Sequence, residues 1–193
     1  MASKKESTFA SMLLTLFIIT FVASAALGYL YELTKGPIAA SKLAKLNKAI
    51  TQVVPEYDTI PQNEIYKKGI DGDTLVFYPA MKNGELVGTA VSTFTNKGFS
   101  GYINIMVGFL PDGTIHNISV LEHKETPGLG DKMTKAKSDW SVQFNGKNPA
   151  DFKLMVTKDG GDVDAITAST ISSRAFCDAV DRAYKAYMEG GKQ

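Results

Sequence analysis

Two stretches of this chain carry residue types able to hold a ligand. The first runs from Asp164 to Ser173 and gathers five small hydroxyl residues, Thr167, Ser169, Thr170, Ser172 and Ser173, where a helical pattern begins. The backbone N–H groups at a helix start have no intrahelical acceptor, and together with the helix dipole they attract phosphate. Ser and Thr are also ordinary N-caps, and on these residues alone the plain cap outweighs the phosphate site. The second stretch, His123 to Gly130, reads His-Lys-Glu-Thr-Pro-Gly-Leu-Gly directly after an expected strand. Its glycines permit close approach of a ligand. Most Pro-Gly loops are only turns, so neither stretch is decisive by itself.

Composition narrows the chemistry. Lys+Arg is 21 against Asp+Glu 20, a net charge of +1 with the basic residues scattered. Nucleic-acid binding needs a concentrated basic field, so it is not expected. The single cysteine, Cys177, allows no intrachain disulfide and no multi-thiolate metal centre. It falls in a helical pattern, where a small buried apolar role is the expectation. Two histidines, His116 and His123, are too few for a His-rich metal site. Nothing resembles a nucleophile elbow or a base with its orienting partner.

The two stretches together resemble the paired signatures of the FMN-binding domain family found in the G subunit of the Rnf complex and in the C subunit of the sodium-pumping NADH:quinone oxidoreductase. The likeness runs from Gly101 and Tyr102 through Asp112-Gly113 to Glu125–Gly130. The family's second signature is Asp, two variable residues, Ser or Thr, Gly, Ala, Thr. Here it reads Asp164, Ala165, Ile166, Thr167, Ala168, Ser169, Thr170, so Ala168 stands for Gly and Ser169 for Ala. In the family the last Thr is esterified to the FMN phosphate by a flavin transferase. The resemblance therefore implies covalent FMN on Thr170, with Ser169 leaving a second hydroxyl beside it.

The same resemblance implies that Glu125, Thr126, Gly128, Leu129 and Gly130 lie against the flavin. Thr167, Ser169, Ser172 and Ser173 would surround the phosphate, with Arg174 a candidate to neutralise it and Asp164 part of what the transferase recognises. The implied role is electron relay within a membrane complex that couples ferredoxin oxidation to NAD+ reduction and moves Na+ or H+. This chain would be one station, not catalytic alone, with other subunits of the complex, the membrane and the flavin transferase as partners. Alternatives are an FMN subunit of another extracytoplasmic electron chain, or an anchored binding module without flavin.

These segments need elements to position them. Asn83-Gly84 and Asp112-Gly113 are hairpin signals flanked by β-prone residues. They predict strands over Leu75–Tyr78, Glu85–Phe94, Tyr102–Leu110 and Thr114–Leu121. A short helix within Asp131–Trp140 and a further strand over Phe152–Val156 are expected next. From Thr170 to Met188 the apolar spacing becomes helical. Helix, strands, then helix predicts an α+β domain with a largely antiparallel sheet and flanking helices.

No charged residue occurs from Ser7 to Tyr31, and about 20 apolar residues suffice to cross a bilayer. Lys4 and Lys5 precede the run, and Tyr29 and Tyr31 fall where interfacial aromatics belong. A cleaved signal ending near Ala23-Ser24-Ala25 competes with a retained transmembrane anchor. The anchor is preferred, because the apolar character continues through Leu27 and Leu30. The expected arrangement is a cytoplasmic N-terminus over residues 1–6, an anchor over 7–33, and an extracytoplasmic FMN-binding domain over 37–193. It would lie in the bacterial inner (cytoplasmic) membrane, facing the periplasm. Lys42, Lys45 and Lys48 run against this, since positive residues favour the cytoplasmic side. Gly36-Pro37 punctuates the membrane exit. Beyond it Ala39, Leu43, Leu46, Ile50 and Val53 share a helical face that ends at Pro55.

Overall fold

The computed structural model describes residues 8–70 and 72–190. The expected cytoplasmic segment 1–6 lies outside them. Helix α1 spans Phe9–Val53, and the chain divides into two compact units, one ending at Ala44 and one beginning at Lys45. In the first unit every described residue is exposed, and the helix is apolar and long enough to cross a membrane. Gly36-Pro37 does not interrupt it. Pro37 removes one N–H donor from the ladder, and the neighbouring turns hold the helix without it.

The second unit opens on the last turns of α1. The helix stops at Val53, two residues before Pro55, as expected from the strain a proline places on the residue before it. Five strands follow: β1 Tyr66–Ile70, β2 Asp73–Lys82, β3 Glu85–Gly98, β4 Gly101–Phe109 and β5 Ile115–His123. They form one sheet in sequential order with every neighbour antiparallel, the architecture expected. At the β2–β3 turn Asn83 and Gly84 both take positive φ, 52° and 82°, as a two-residue type I′ hairpin requires. Strand β1 is an addition to the strands predicted. Its Tyr-Lys-Lys-Gly-Ile sequence lacks apolar alternation, and the Tyr66 ring stacks on Phe77 of β2 at 4.6 Å.

The sheet buries both faces. In β4, Ile103, Ile105, Val107 and Phe109 enter one core with Phe77, Val91 and helix α2, Thr170–Gly190. Met106 points the other way, into a second core with Ala80, Ala90 and Ala49, Ile50, Val53 and Val54. Of the predicted α1 face, Ile50 and Val53 are buried and Leu46 packs beside them, whereas Leu43 is exposed. The α2 stripe Ala175, Phe176, Ala179, Val180, Ala183 and Ala186 is fully buried, and its alanines let the helix lie close on the sheet.

Between β5 and α2 the chain holds no strand. The expected helix within Asp131–Trp140 is replaced by two short 3-10 turns, Gly130–Met133 and Trp140–Phe144. The expected strand over Phe152–Val156 is also absent, leaving a single parallel bridge between Val156 and Val163. This stretch hydrogen-bonds to its own continuation: Val163 N–H donates to Met155 O at 3.0 Å and Thr157 N–H to Val163 O at 2.8 Å. Leu154 and Val156 plug the core from this loop, which explains the apolar run that resembles a strand.

Candidate functional site

The two ligand-type stretches meet at the N-terminus of α2. Thr170 is the first helical residue and is half-buried. Ser173 N–H donates to Ser169 O at 3.0 Å, so Ser169 occupies the N-cap position. A cleft of about 300 Å³ opens here, lined by Glu125, Thr126, Leu129 and Gly130 from one stretch and by Ala168 to Ser172 from the other. Phe99 from the β3–β4 turn completes it.

Glu125 organises the floor. It is only 5% exposed, and a buried carboxylate needs hydrogen-bond donors to offset its desolvation. Ser100 N–H donates to its Oε1 at 2.9 Å, and Ser172 Oγ donates to its Oε2 at 2.5 Å. Ser169 Oγ donates in turn to Ser172 Oγ at 2.9 Å. One carboxylate thus ties the β3–β4 turn to the start of α2. Two glycines make room for it. A Cβ at Gly130 would lie 2.6 Å from Glu125 Oε2 and 2.7 Å from Ser172 Oγ, and one at Gly98 would lie 2.7 Å from Glu125 Oε1.

The loop before Thr170 is held from behind. Trp140 Nε1 donates to Asp164 O at 2.6 Å, and Asp164 N–H donates to Gln143 Oε1 at 2.8 Å. Ser173 Oγ accepts from Ile166 N–H and donates to Ser169 O, so this hydroxyl is spent inside the loop and does not line the cleft. Thr167 and Gly128 are exposed and also lie outside the lining. Ala168 takes φ 59°, a left-handed conformation that glycine adopts without strain.

Arg174 turns elsewhere. Its Nε and Nη2 grip both Asp159 oxygens at 2.7 Å, which holds the Asp159 carboxyl below the usual carboxylate range. Among the described residues, no Lys or Arg lines the Thr170 cleft. A phosphate there would rest on the unpaired N–H groups of the first α2 turn. Around the mouth stand Phe99, 68% exposed, with Leu129 and Ile171, an apolar rim suited to a planar ring. Phe99 is not among the predicted site residues; its signal is an aromatic inside the tight turn Gly98-Phe99-Ser100-Gly101.

A helix N-terminus free for phosphate, a glycine-lined polar floor and an apolar rim fit a flavin mononucleotide. Residues 98–185 match the FMN-binding domain family, so the fold and the cleft define a flavin-binding domain that follows an apolar helix of membrane-spanning length. Full-length relatives sharpen this. The G subunit of the ion-translocating oxidoreductase complex of Shewanella piezotolerans is 34% identical over 189 residues, covering 92% of this chain and 87% of its own. Its counterpart in Aliivibrio fischeri strain ES114 is 38% identical over 194 residues, covering 93% and 90%. The G subunit of the Na(+)-translocating ferredoxin:NAD(+) oxidoreductase complex of Acetobacterium woodii is 31% identical over 192 residues, covering 93% and 91%. The chain belongs to the G-subunit family of ion-translocating (Rnf) oxidoreductase complexes.

Proposed function

We propose that this chain is an electron-relay subunit that carries FMN through a phosphoester on Thr170 Oγ1. The observation that supports this most is the meeting of Glu125–Gly130 and Ala168–Ser172 in one cleft, with Thr170 half-exposed at its edge. FMN, when bound, supplies the one- and two-electron chemistry, and the protein supplies attachment, orientation and electrostatics. The N–H groups at the start of α2 would receive the phosphate charge. Glu125 fixes the Ser172 and Ser169 hydroxyls in one orientation, each with its proton already donated, so the phosphate would draw its hydrogen bonds from the backbone N–H groups and not from these two hydroxyls. Phe99, Leu129 and Ile171 would cover the ring while leaving an edge open to a partner cofactor.

In this reading the domain faces the extracytoplasmic, periplasmic side of a bacterial cytoplasmic membrane, anchored by the apolar part of α1. It relays electrons among other subunits of a complex that couples ferredoxin oxidation to NAD+ reduction and moves Na+ or H+. A flavin transferase would load it, and tethering would prevent loss of FMN where no flavin pool replenishes it.

The test is co-expression with a flavin transferase, followed by denaturation and intact-mass measurement. A gain of FMN less one water, mapped by peptide fragmentation to Thr170, is the expected outcome. Thr170→Val should abolish the gain while leaving the circular dichroism spectrum unchanged. Flavin persisting in that variant and lost in Ser169→Ala would move the attachment to Ser169. An unmodified wild-type chain beside a flavinylated control protein would overturn the covalent reading.

A further inference from the structure

A second cleft, of about 430 Å³, lies within the domain between the last turns of α1, strand β5 and the segment after Met133. Three exposed lysines line it: Lys45 and Lys48 from α1, and Lys135 from nearly ninety residues further along. Among the described residues, no Asp or Glu is part of the lining. The acceptors these lysines find are neutral. Lys45 Nζ donates to the Leu121 carbonyl and Lys135 Nζ to Asn117 Oδ1. None of the three forms an ion pair among the described residues. Lys135 is exposed, and partial desolvation draws its ammonium below its usual range against the opposing charge of Asp139, which lies outside the lining. Ser141 also lines this cleft. It is 1% exposed and its Oγ has no hydrogen-bond partner.

Like charges brought to one cleft repel, and a buried hydroxyl left unpaired costs free energy. Both penalties are relieved by one kind of guest, an oxyanion carrying more than a single negative charge's worth of acceptors. We infer that this cleft binds a phosphate group, held by Lys45, Lys48 and Lys135 with the Ser141 hydroxyl at its back. The phosphate can belong to an anionic phospholipid headgroup or to a soluble phosphate compound, and the chemistry of recognition is the same. The site is separate from the Thr170 cleft and shares no lining residue with it. It also explains why Lys45 and Lys48 follow the apolar span on a domain expected to face away from the cytoplasm.

The experiment uses the full chain in nanodiscs, with lysine acetylation rates read by mass spectrometry and exposed Lys158 as internal control. In discs of phosphatidylcholine alone, millimolar inorganic phosphate should slow labelling of Lys45, Lys48 and Lys135 several-fold relative to sodium chloride of equal ionic strength. Protection under these conditions assigns a soluble phosphate. Protection that appears only when the discs contain phosphatidylglycerol assigns the headgroup. In whichever condition binds, Lys48→Gln and Lys135→Gln should each weaken the calorimetric affinity about tenfold, with unchanged far-ultraviolet circular dichroism. Equal labelling in every condition, or protection matched by chloride, overturns the site. Flavin content enters none of these readouts, so the inference stands or falls apart from Thr170.

Discussion

Ala168 carries a strain that its neighbours exploit. An L-residue in the left-handed region costs about 1–2 kcal/mol, yet this conformation turns the chain so that Ser169 caps α2 and Thr170 reaches the cleft. Ala168→Gly is expected to raise unfolding stability by about 0.5–1 kcal/mol, the strain relieved less the added freedom of the unfolded chain. Urea denaturation measures it, and a loss of stability would show that the turn is not strained. Cys177 offers a second test at this scale. Burial first, then nearby Asp159, Asp178 and Asp181, push its thiol from 9.0 up to about 12. Native protein at pH 8 should resist iodoacetamide, since the thiolate is the nucleophile. Because the folded value lies above the unfolded one, its contribution to stability is complete below pH 9 and is lost as pH rises toward 12. Cys177→Ala should flatten that alkaline decline. Glu125 and Thr170 were legible in the sequence because each sits in a continuous signature. The Ser172-to-Glu125 bond and the Arg174–Asp159 pair were not, because side-chain direction across 47 and 15 residues leaves no local pattern.

At the scale of elements, the hairpins declared themselves through Asn83-Gly84 and Asp112-Gly113, whose turn chemistry is local. Strand β4 was placed by the Asp112-Gly113 turn that follows it, and its residues Ile105 and Met106 enter opposite cores because the sheet is buried on both faces. The failures share a cause. Phe152–Val156 is apolar enough for a strand, but Leu154 and Val156 serve as plugs on a loop that bonds to itself. Lys67 and Lys68 hid β1, because an edge strand tolerates charge and needs no alternation. Contact between α1 and the sheet depends on a position that sequence patterns do not flag. A Cβ at Gly108 would collide with the Val53 backbone carbonyl. The obstacle is main chain at a helix end, so no rotamer change relieves it. Gly108→Ala should therefore cost about 3 kcal/mol or more, read as a lower urea midpoint. A near-neutral result would mean that the end of α1 shifts freely over β4.

For the whole molecule, the question is which residues the FMN-binding domain needs in order to fold. The apolar residues of α1 before Lys45 belong to a separate unit, whereas Ala49, Ile50, Val53 and Val54 form a core with Ala80, Ala90 and Met106. The family match begins only at residue 98, so neither it nor the signature motifs mark this dependence. Burying Ile50, Val53 and Val54 contributes about 5–9 kcal/mol at about 1.5–3 kcal/mol per side chain, and a more compact unfolded chain trims that toward the lower end. Net stability of a domain is about 5–15 kcal/mol, so the last turns of α1 decide whether the sheet is stable. A fragment beginning at Lys45 is expected to unfold cooperatively with native near-ultraviolet circular dichroism. One beginning at Glu56 should lose that signal and unfold without a sharp urea transition. The pair of fragments also bears on flavin loading, because Thr170 begins α2, which packs in the opposite core, and its cleft lining contains no α1 residue. If the shorter fragment still folds and accepts flavin, the second core is an accessory to the flavin domain. If it fails at both, the end of the membrane helix is part of the flavin domain itself.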